Sequence, residues 1–262
     1  MRKVRWMDVV MAGLSAPAFW AAMAITGFAG FVKGAVGFAM PMIMISAFSS
    51  FLSPELALAG LILPTLFTNL SQAFRQGAAA AADTAFTYRR FLSATVICIA
   101  ISAPFVAAIP QPLFLMLLGL PITAFAALQL SGLSLALQLH YRIRAEWALG
   151  VISGLYGGVS GVWGPPLLVY LLSTKASKSE TVLAQGVVFL IGAVALLAAH
   201  LVTGVANGPS MAFSATLTVA GMIGLHLGYR LQDRLDQHRF RRWTQTLLVL
   251  TGLNLIRRSL GL

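Results

Sequence analysis

Two glycine motifs of equal spacing are the features of this chain best suited to bind a small anion. The glycines are spaced 3, 4 and 3 residues apart in both: Gly27, Gly30, Gly34 and Gly37 in the first motif, and Gly154, Gly157, Gly161 and Gly164 in the second. Pro41 follows the first motif, and Pro165 and Pro166 follow the second. If each motif interrupts a helix, the first N–H groups of the next helix lack partners and carry partial positive charge. Such helix starts attract anions, and proline fits their first turn.

Lys33 lies inside the first motif and could add a full positive charge beside Gly34 and Gly37. At membrane depth a lysine costs about 2.5 to 3.5 kcal/mol to insert, so it usually faces a partner or an aqueous cavity. The sequence is also compatible with two simpler roles. The lysine could snorkel to the membrane surface, and the glycines could serve only to let helices pack closely.

Amide and indole groups could complete such a site. Asn69 and Gln72 are three residues apart and share one helix face, where they could donate to an oxyanion. Gln185 lies on the corresponding helix of the second half, near the second motif. Trp163 lies inside that motif, and its indole N–H could donate as well. The competing role for these side chains is polar or apolar packing between helices.

The composition places these residues in an integral membrane protein. Of 262 residues, 58% are hydrophobic and only 10% are charged, and the mean hydropathy is +0.85. Residues 91–141 and 181–229 contain no Asp, Glu, Lys or Arg, and breaker clusters at 109–112 and 207–209 divide each into two helices. The remaining apolar segments are 12–32, 38–51, 56–74, 147–159, 167–172 and 243–256. We therefore predict an all-α membrane protein with about eight to ten hydrophobic segments and a broken helix in each half.

The basic residues predict the orientation of the halves. The net charge is +11, but the basic residues lie between apolar segments, which argues against nucleic-acid binding. An outward N-terminus places 13 of the 18 on the cytoplasmic side. The exceptions are Arg2, Lys3, Arg5, Arg257 and Arg258. Five segments per half then predict an inverted repeat, residues 1–139 and 140–262. A cytoplasmic N-terminus and parallel repeats of four crossings remain alternatives.

Longer stretches around both motifs resemble one known family. They are Gly-Phe-Val-Lys-Gly-Ala-Val-Gly-Phe at residues 30–38, Pro54-Glu55, the segment from Phe67 to Gly77, and Ser-Gly-Val-Trp-Gly-Pro-Pro-Leu-Leu at residues 160–168. The chain resembles the TauE/SafE family of sulfite exporters and related organosulfur anion permeases over about residues 12 to 260. The resemblance implies a multi-pass secondary transporter of the bacterial inner membrane, which exports sulfite, a sulfonate or a sulfoacetate-like anion.

The predicted anion site lies between the two broken helices near the middle of the bilayer. Its residues are Lys33, Gly34, Gly37, Asn69, Gln72, Gly161, Trp163, Gly164, Pro165, Pro166 and Gln185. A proton or sodium ion could couple transport, and membrane lipid is the other expected partner. We expect no enzyme activity, cofactor or metal, because no His, Cys, Asp or Glu cluster has ligand spacing and no P-loop is present. A passive anion channel and a non-transporting membrane scaffold are the alternatives.

Overall fold

The computed structural model describes residues 11–133, 135–137, 141–231 and 236–261. These residues form helices and connecting turns, with no strand among them. The α-helices are α1 (Ala16–Val36), α2 (Met40–Phe48), α3 (Pro54–Ala73), α4 (Ala78–Thr87), α5 (Arg89–Ser102), α6 (Gln111–Leu130), α7 (Arg142–Ser160), α8 (Gly164–Ser173), α9 (Lys178–Val202), α10 (Gly208–Leu231) and α11 (Gln237–Ser259). A 3-10 helix, Ala103–Ala108, extends α5. The predicted all-α class is confirmed.

Six stretches of helix are long and apolar enough to cross a membrane. They are Ala16–Val36, Pro54–Ala73, Arg89–Ala108, Gln111–Leu130, Ser179–Val202 and Gly208–Leu231. Large apolar side chains such as Phe86, Ile101 and Leu250 are exposed on the outside of the bundle, as expected for a surface that faces hydrocarbon. The chain is therefore a multi-pass membrane protein. The basic residues Arg2, Lys3 and Arg5, which bear on the predicted orientation, lie outside the described residues.

The first glycine motif ends one helix and precedes the next. Helix α1 stops at Val36, and Gly37 adopts a left-handed conformation with φ +87°. Its N–H donates to the Lys33 carbonyl at 2.7 Å, which caps the helix. Glycine adopts this conformation at little cost. Ala39 is also left-handed, with φ +79°, just before α2 begins at Met40; a residue with a Cβ pays about 1 to 2 kcal/mol for that.

The second motif also ends one helix before the next begins, but the helix ends at the third glycine of the motif and not at the fourth. Helix α7 stops at Ser160, Gly161 has φ +70°, and α8 begins at Gly164. Gly37 and Gly161 are 124 positions apart, and so are the two helix starts and the two N-capping serines, Ser53 and Ser177. Matching the glycines by spacing instead pairs positions 127 apart. The motifs therefore correspond with a shift of three residues from the alignment that the sequence suggests.

The glycines inside α1 bring it close to α10. A Cβ added to Gly30 would overlap the carbonyl of Gly221, and one added to Gly34 would overlap the carbonyl of Leu225. The obstacle is backbone on the opposite helix, so a side chain at either glycine would have to push the helices apart. These glycines act as a small-residue stripe of the kind that packs membrane helices.

The glycines inside α7 do the same against α5. A Cβ on Gly150 would lie 2.7 Å from the Phe91 carbonyl, and one on Gly154 would overlap the Thr95 carbonyl. Thr95 also donates its hydroxyl to the Gly150 carbonyl at 3.2 Å. Each motif-bearing helix is thus paired along its length with one partner helix, α1 with α10 and α7 with α5.

A proline in α3 ties that helix to α10 as well. Pro64 has no N–H, so the Gly60 carbonyl one turn earlier loses its helical donor. The Ser214 hydroxyl of α10 donates to this carbonyl at 3.2 Å and accepts from the Leu63 N–H at 3.1 Å. Such substitute bonds are needed where no water can reach the backbone. Helices α1, α3 and α10 therefore form one joined unit.

Replacing Gly30 with alanine tests the close packing of α1 on α10. Because the added Cβ meets backbone, we expect Gly30→Ala to destabilise the protein by about 1 to 3 kcal/mol, as overpacking does. Thermal unfolding of the detergent-solubilised protein measures the change. Gly208→Ala is the matched control, since a Cβ there has open space around it. Equal stability of the two variants would contradict the close packing of these helices.

Candidate anion-binding site

Lys33 is buried and bonded to α3. Its side chain is 1% exposed, and its Nζ donates to Thr68 Oγ1 at 3.1 Å and to Asn69 Oδ1. Thr68 in turn donates to the Pro64 carbonyl at 2.6 Å, which leaves its oxygen to accept from the lysine. The lysine therefore points into the protein and does not snorkel to the surface.

No carboxylate neutralises this lysine among the described residues. Their two salt bridges, Arg90–Glu146 and Arg239–Asp236, both lie elsewhere. An ammonium group has three N–H donors, and protein acceptors take two of those of Lys33. Asn69 Nδ2 is buried beside it with no hydrogen-bond partner in the described part of the chain. The site thus holds a buried cation and spare donors, an arrangement that is costly unless an anion joins it.

Gln72 connects the end of α1 to α9, and Gln185 lies near the same glycine. Gln72 Nε2 donates to the Gly37 carbonyl at 3.1 Å and to the Val182 carbonyl at 2.9 Å. Gln185 is buried, and its Oε1 lies 3.7 Å from where a Cβ on Gly37 would stand. The structure therefore gathers five of the predicted site residues around the first motif: Lys33, Gly37, Asn69, Gln72 and Gln185.

The residues directly after the first motif and the end of the second motif line one small cavity. Its volume is about 20 Å³, and its lining residues are Phe38, Ala39, Pro41, Met42, Gly161, Val162, Trp163, Gly164 and Phe189. A cavity of this size holds about one water molecule. The predicted residues Gly161, Trp163 and Gly164 thus meet the segment directly after the first motif here, and the strained Ala39 forms part of the wall.

The Trp163 ring packs against Gly157 and Gly192. The ring packs edge-on against Phe189, with centroids 6.2 Å apart, and a Cβ on Gly157 or Gly192 would lie 3.0 Å from it. At the 124-residue offset, Gly157 corresponds to Lys33 and Gly192 to Thr68. Where the first half has a hydrogen-bonded lysine, the second half has two glycines and an indole.

Three predicted residues lie outside this group. Gly34 packs against α10. Pro165 and Pro166 line a separate apolar cavity of about 370 Å³ beside α7, with Tyr156 among its walls. The two prolines also remove two of the first N–H donors of α8, which leaves that helix start poor in hydrogen bonds for an anion. Helix α2 retains the N–H groups of Met40 and Met42, and among the described residues no side chain caps either helix start.

Three contributors escaped prediction as site residues. Thr68 adjoins Asn69 and accepts from the lysine. Phe189 lies one turn beyond Gln185, so helical spacing could have indicated that it shares the same face. The carbonyl of Val182 could not be predicted from the sequence, because every residue type has a backbone carbonyl. Within the described ranges, no group of His, Cys, Asp and Glu could hold a metal ion.

One family model matches most of the chain. The model of the family described as "Sulfite exporter TauE/SafE" matches residues 22–255, which include both motifs and every predicted site residue. The chain belongs to the TauE/SafE family. No curated protein and no solved structure matches it. TauE/SafE is a membrane exporter family, so membership makes this chain a transporter and is consistent with the expectation that it is not an enzyme.

Replacing Trp163 with alanine tests the packing of the second motif in this TauE/SafE chain. The ring is 2% exposed, and we expect Trp163→Ala to cost about 3 to 5 kcal/mol of stability, as truncation of a buried aromatic does. The measurement is the midpoint of thermal unfolding in detergent. Trp243→Ala is the control, because that ring is 73% exposed and its loss should shift the midpoint little. Similar shifts in both variants would refute the assigned role of Trp163.

Proposed function

We propose that this TauE/SafE protein is a secondary transporter that binds a small organosulfur anion at Lys33, between the two helix interruptions, and exports it across the bacterial inner membrane. The observation that carries the proposal is the buried Lys33 ammonium, which has no carboxylate partner in the described part of the chain. A charge held at such a depth is normally functional. An anion that enters the site supplies the missing negative charge.

The donors around Lys33 suit a sulfur oxyanion. Sulfite, sulfonates and sulfoacetate-like anions all present several oxygen acceptors on one sulfur. Lys33 has one N–H to spare, Asn69 Nδ2 has no partner among the described residues, and the first N–H groups of α2 lie at the end of the same segment. Charge-assisted hydrogen bonds of this kind are the strong ones. Gln72, held between two carbonyls, fixes the backbone at Gly37 rather than facing the anion.

The site must open before an anion can enter or leave. A cavity of about 20 Å³ admits a water molecule but not an anion of four or more heavy atoms. The described arrangement therefore corresponds to a closed conformation, in which Trp163 and Phe189 are the largest side chains that line the small cavity. A carrier passes through such a state between its two open ones.

An inverted repeat supplies the means of alternate opening. We assign residues 1–139 and 140–262 to the two repeats; their boundary falls at residues 138–140, outside the described residues. The constant offset of 124 from the first motif to the N-cap of α3 supports the assignment, as does the pairing of α1 with α10 and of α7 with α5. Five segments per half would turn the second repeat over, so each interrupted helix would face one side.

Contacts at the far ends of the short helices fit the role of gates. Near the end of α8, the Tyr88 hydroxyl donates to Glu180 Oε1 at 3.0 Å and so joins the start of α5 to that of α9. At the end of α2, Arg258 Nη1 donates to the Ser49 carbonyl at 2.7 Å. We infer that these two contacts close opposite sides of the protein and break in turn.

The alternatives fit these observations less well. A passive channel needs a continuous polar lining, whereas the shared cavity is small and lined by apolar side chains. A scaffold has no use for a buried lysine that lacks a counter-charge. Coupling to a proton or sodium ion gradient is part of the proposal.

Uptake of labelled sulfite into proteoliposomes tests the substrate site. Lys33→Met keeps the length of the side chain but removes its charge, so uptake at low sulfite concentration should fall at least about tenfold, the effect of losing one hydrogen bond to a charged group. Lys175→Met is the matched control, because that lysine lies in the turn after α8, away from the site, and should leave uptake unchanged. Undiminished uptake by Lys33→Met would remove the lysine from the mechanism, and no uptake of any organosulfur anion by the unaltered protein would reject the substrate class.

The response to imposed ion gradients separates a carrier from a channel. We expect sulfite flux to saturate with concentration and to rise when a proton or sodium gradient is imposed, because a carrier must bind its cargo and change conformation in each cycle. The measurement is initial uptake with each gradient alone and with ionophores that collapse it. Flux that rises linearly with sulfite and ignores both gradients would favour the channel.

A further inference from the structure

A second polar pocket lies where α6 ends and α11 begins. Its volume is about 450 Å³, within the range of small-molecule sites in proteins. The lining residues are Gln129, Leu130, Ser131, Gly132, Leu133, Leu135, Leu172, Arg241, Arg242 and Gln245. None of them belongs to the Lys33 group or to the cavity between the motifs. Nothing in the proposed transport cycle uses this pocket.

Hydrogen bonds inside the pocket orient donors and leave some of them free. Gln129 Oε1 accepts from Arg241 Nη2 at 2.6 Å and from the buried Gln245 Nε2 at 2.6 Å. These two bonds fix which end of the Gln129 amide is the oxygen. Its Nε2 is buried without a partner among the described residues. A guanidinium has five N–H donors, so Arg241 keeps others for a ligand.

The charge of the pocket is positive. Arg241 and Arg242 both line it, and the described lining residues include no carboxylate. Asp236, just before the start of α11, pairs with Arg239 at 3.1 Å. Two cations and a free amide donor with no nearby acid in the described lining favour an anionic oxygen-rich group.

The other half of the pocket is apolar. Leucines from three segments, Leu130, Leu133, Leu135 and Leu172, face the same space as the arginines. A fully hydrated anion gains nothing from such a wall, whereas the glycerol and first methylenes of a lipid do. Basic pockets between transmembrane helices are known to hold acidic head groups.

We propose that this pocket binds a phosphate group, with Arg241 and Gln129 as its main donors, and that an acidic phospholipid presents that group. Free inorganic phosphate offers the same chemistry without the hydrocarbon, so the two sources can be told apart by experiment. The proposal does not depend on what Lys33 binds.

The test uses the full-length protein in nanodiscs of phosphatidylglycerol and phosphatidylcholine in equal amounts, with native mass spectrometry of retained lipid. A parallel arm measures binding of labelled inorganic phosphate to lipid-depleted protein in detergent. Arg241→Gln removes one cation. Gln129→Glu keeps both accepted hydrogen bonds but adds a negative charge that neutralises Arg241, with almost no change of shape. Arg239→Gln removes a charge from the same helix outside the pocket and is the control.

We expect retention of phosphatidylglycerol to fall at least about tenfold in Arg241→Gln and Gln129→Glu, the loss expected for a hydrogen bond to a charged group, and to be unchanged in Arg239→Gln. If the two pocket variants lose binding of inorganic phosphate but retain phosphatidylglycerol normally, the pocket is a phosphate site whose ligand is the free anion. The proposal is wrong if neither probe binds, if both pocket variants bind as the unaltered protein does, or if Arg239→Gln loses as much as they do.

Discussion

The positive charge of Lys33 is the constraint around which the rest of this protein is arranged. A buried ammonium needs acceptors, and α3 supplies them at Thr68 and Asn69. It also needs an opposite charge, which the described part of the protein does not provide. Helix α1 ends one turn after the lysine, at Gly37, whose positive φ turns the chain away. The lysine and its acceptors lie together near the end of α1, and the proposed anion would supply the missing negative charge.

The two halves share a backbone plan but not a chemistry. At corresponding positions the first half has Lys33 and Thr68, and the second has Gly157 and Gly192 with the Trp163 ring between them. The indole occupies volume that a second polar site would need. The region around Gly157 and Gly192 therefore holds no counterpart of the buried Lys33 among the described residues.

The sequence predicted much of this site because its parts follow simple periodicities. Asn69 and Gln72 lie on one face because they are three residues apart in a helix. The sequence left open whether Lys33 is buried or reaches the membrane surface, and the structure shows it buried. The equal glycine spacing suggested the wrong alignment of the two motifs, because the glycines serve two purposes in this structure. Some release the chain at a turn and others admit a neighbouring helix, and spacing alone cannot separate the two roles. That is why the motifs correspond with a shift of three residues and why Gly34 faces α10.

Other features depended on tertiary contacts that no local pattern encodes. Helix α4 is an alanine-rich segment of 10 residues, too short to cross a membrane, and it was therefore not predicted as an apolar span. Pro165 and Pro166 begin α8 as expected, yet they face a different cavity, because the direction of a side chain at a helix start depends on how the helix is packed. The Val182 carbonyl that holds Gln72 is backbone, and its position follows only from the approach of α9 to α3.

The proline in α3 has a mechanical consequence. Ser214 bridges the gap that Pro64 leaves, and the glycines of α1 interlock with those of α10, so three helices are fastened at points where loosening would expose bare peptide groups to lipid. A shift of α1 must carry α3 and α10 with it. Lys33 on α1 and Asn69 on α3 would then keep their hydrogen bond during such a shift, and any relative motion would fall on the remaining helices.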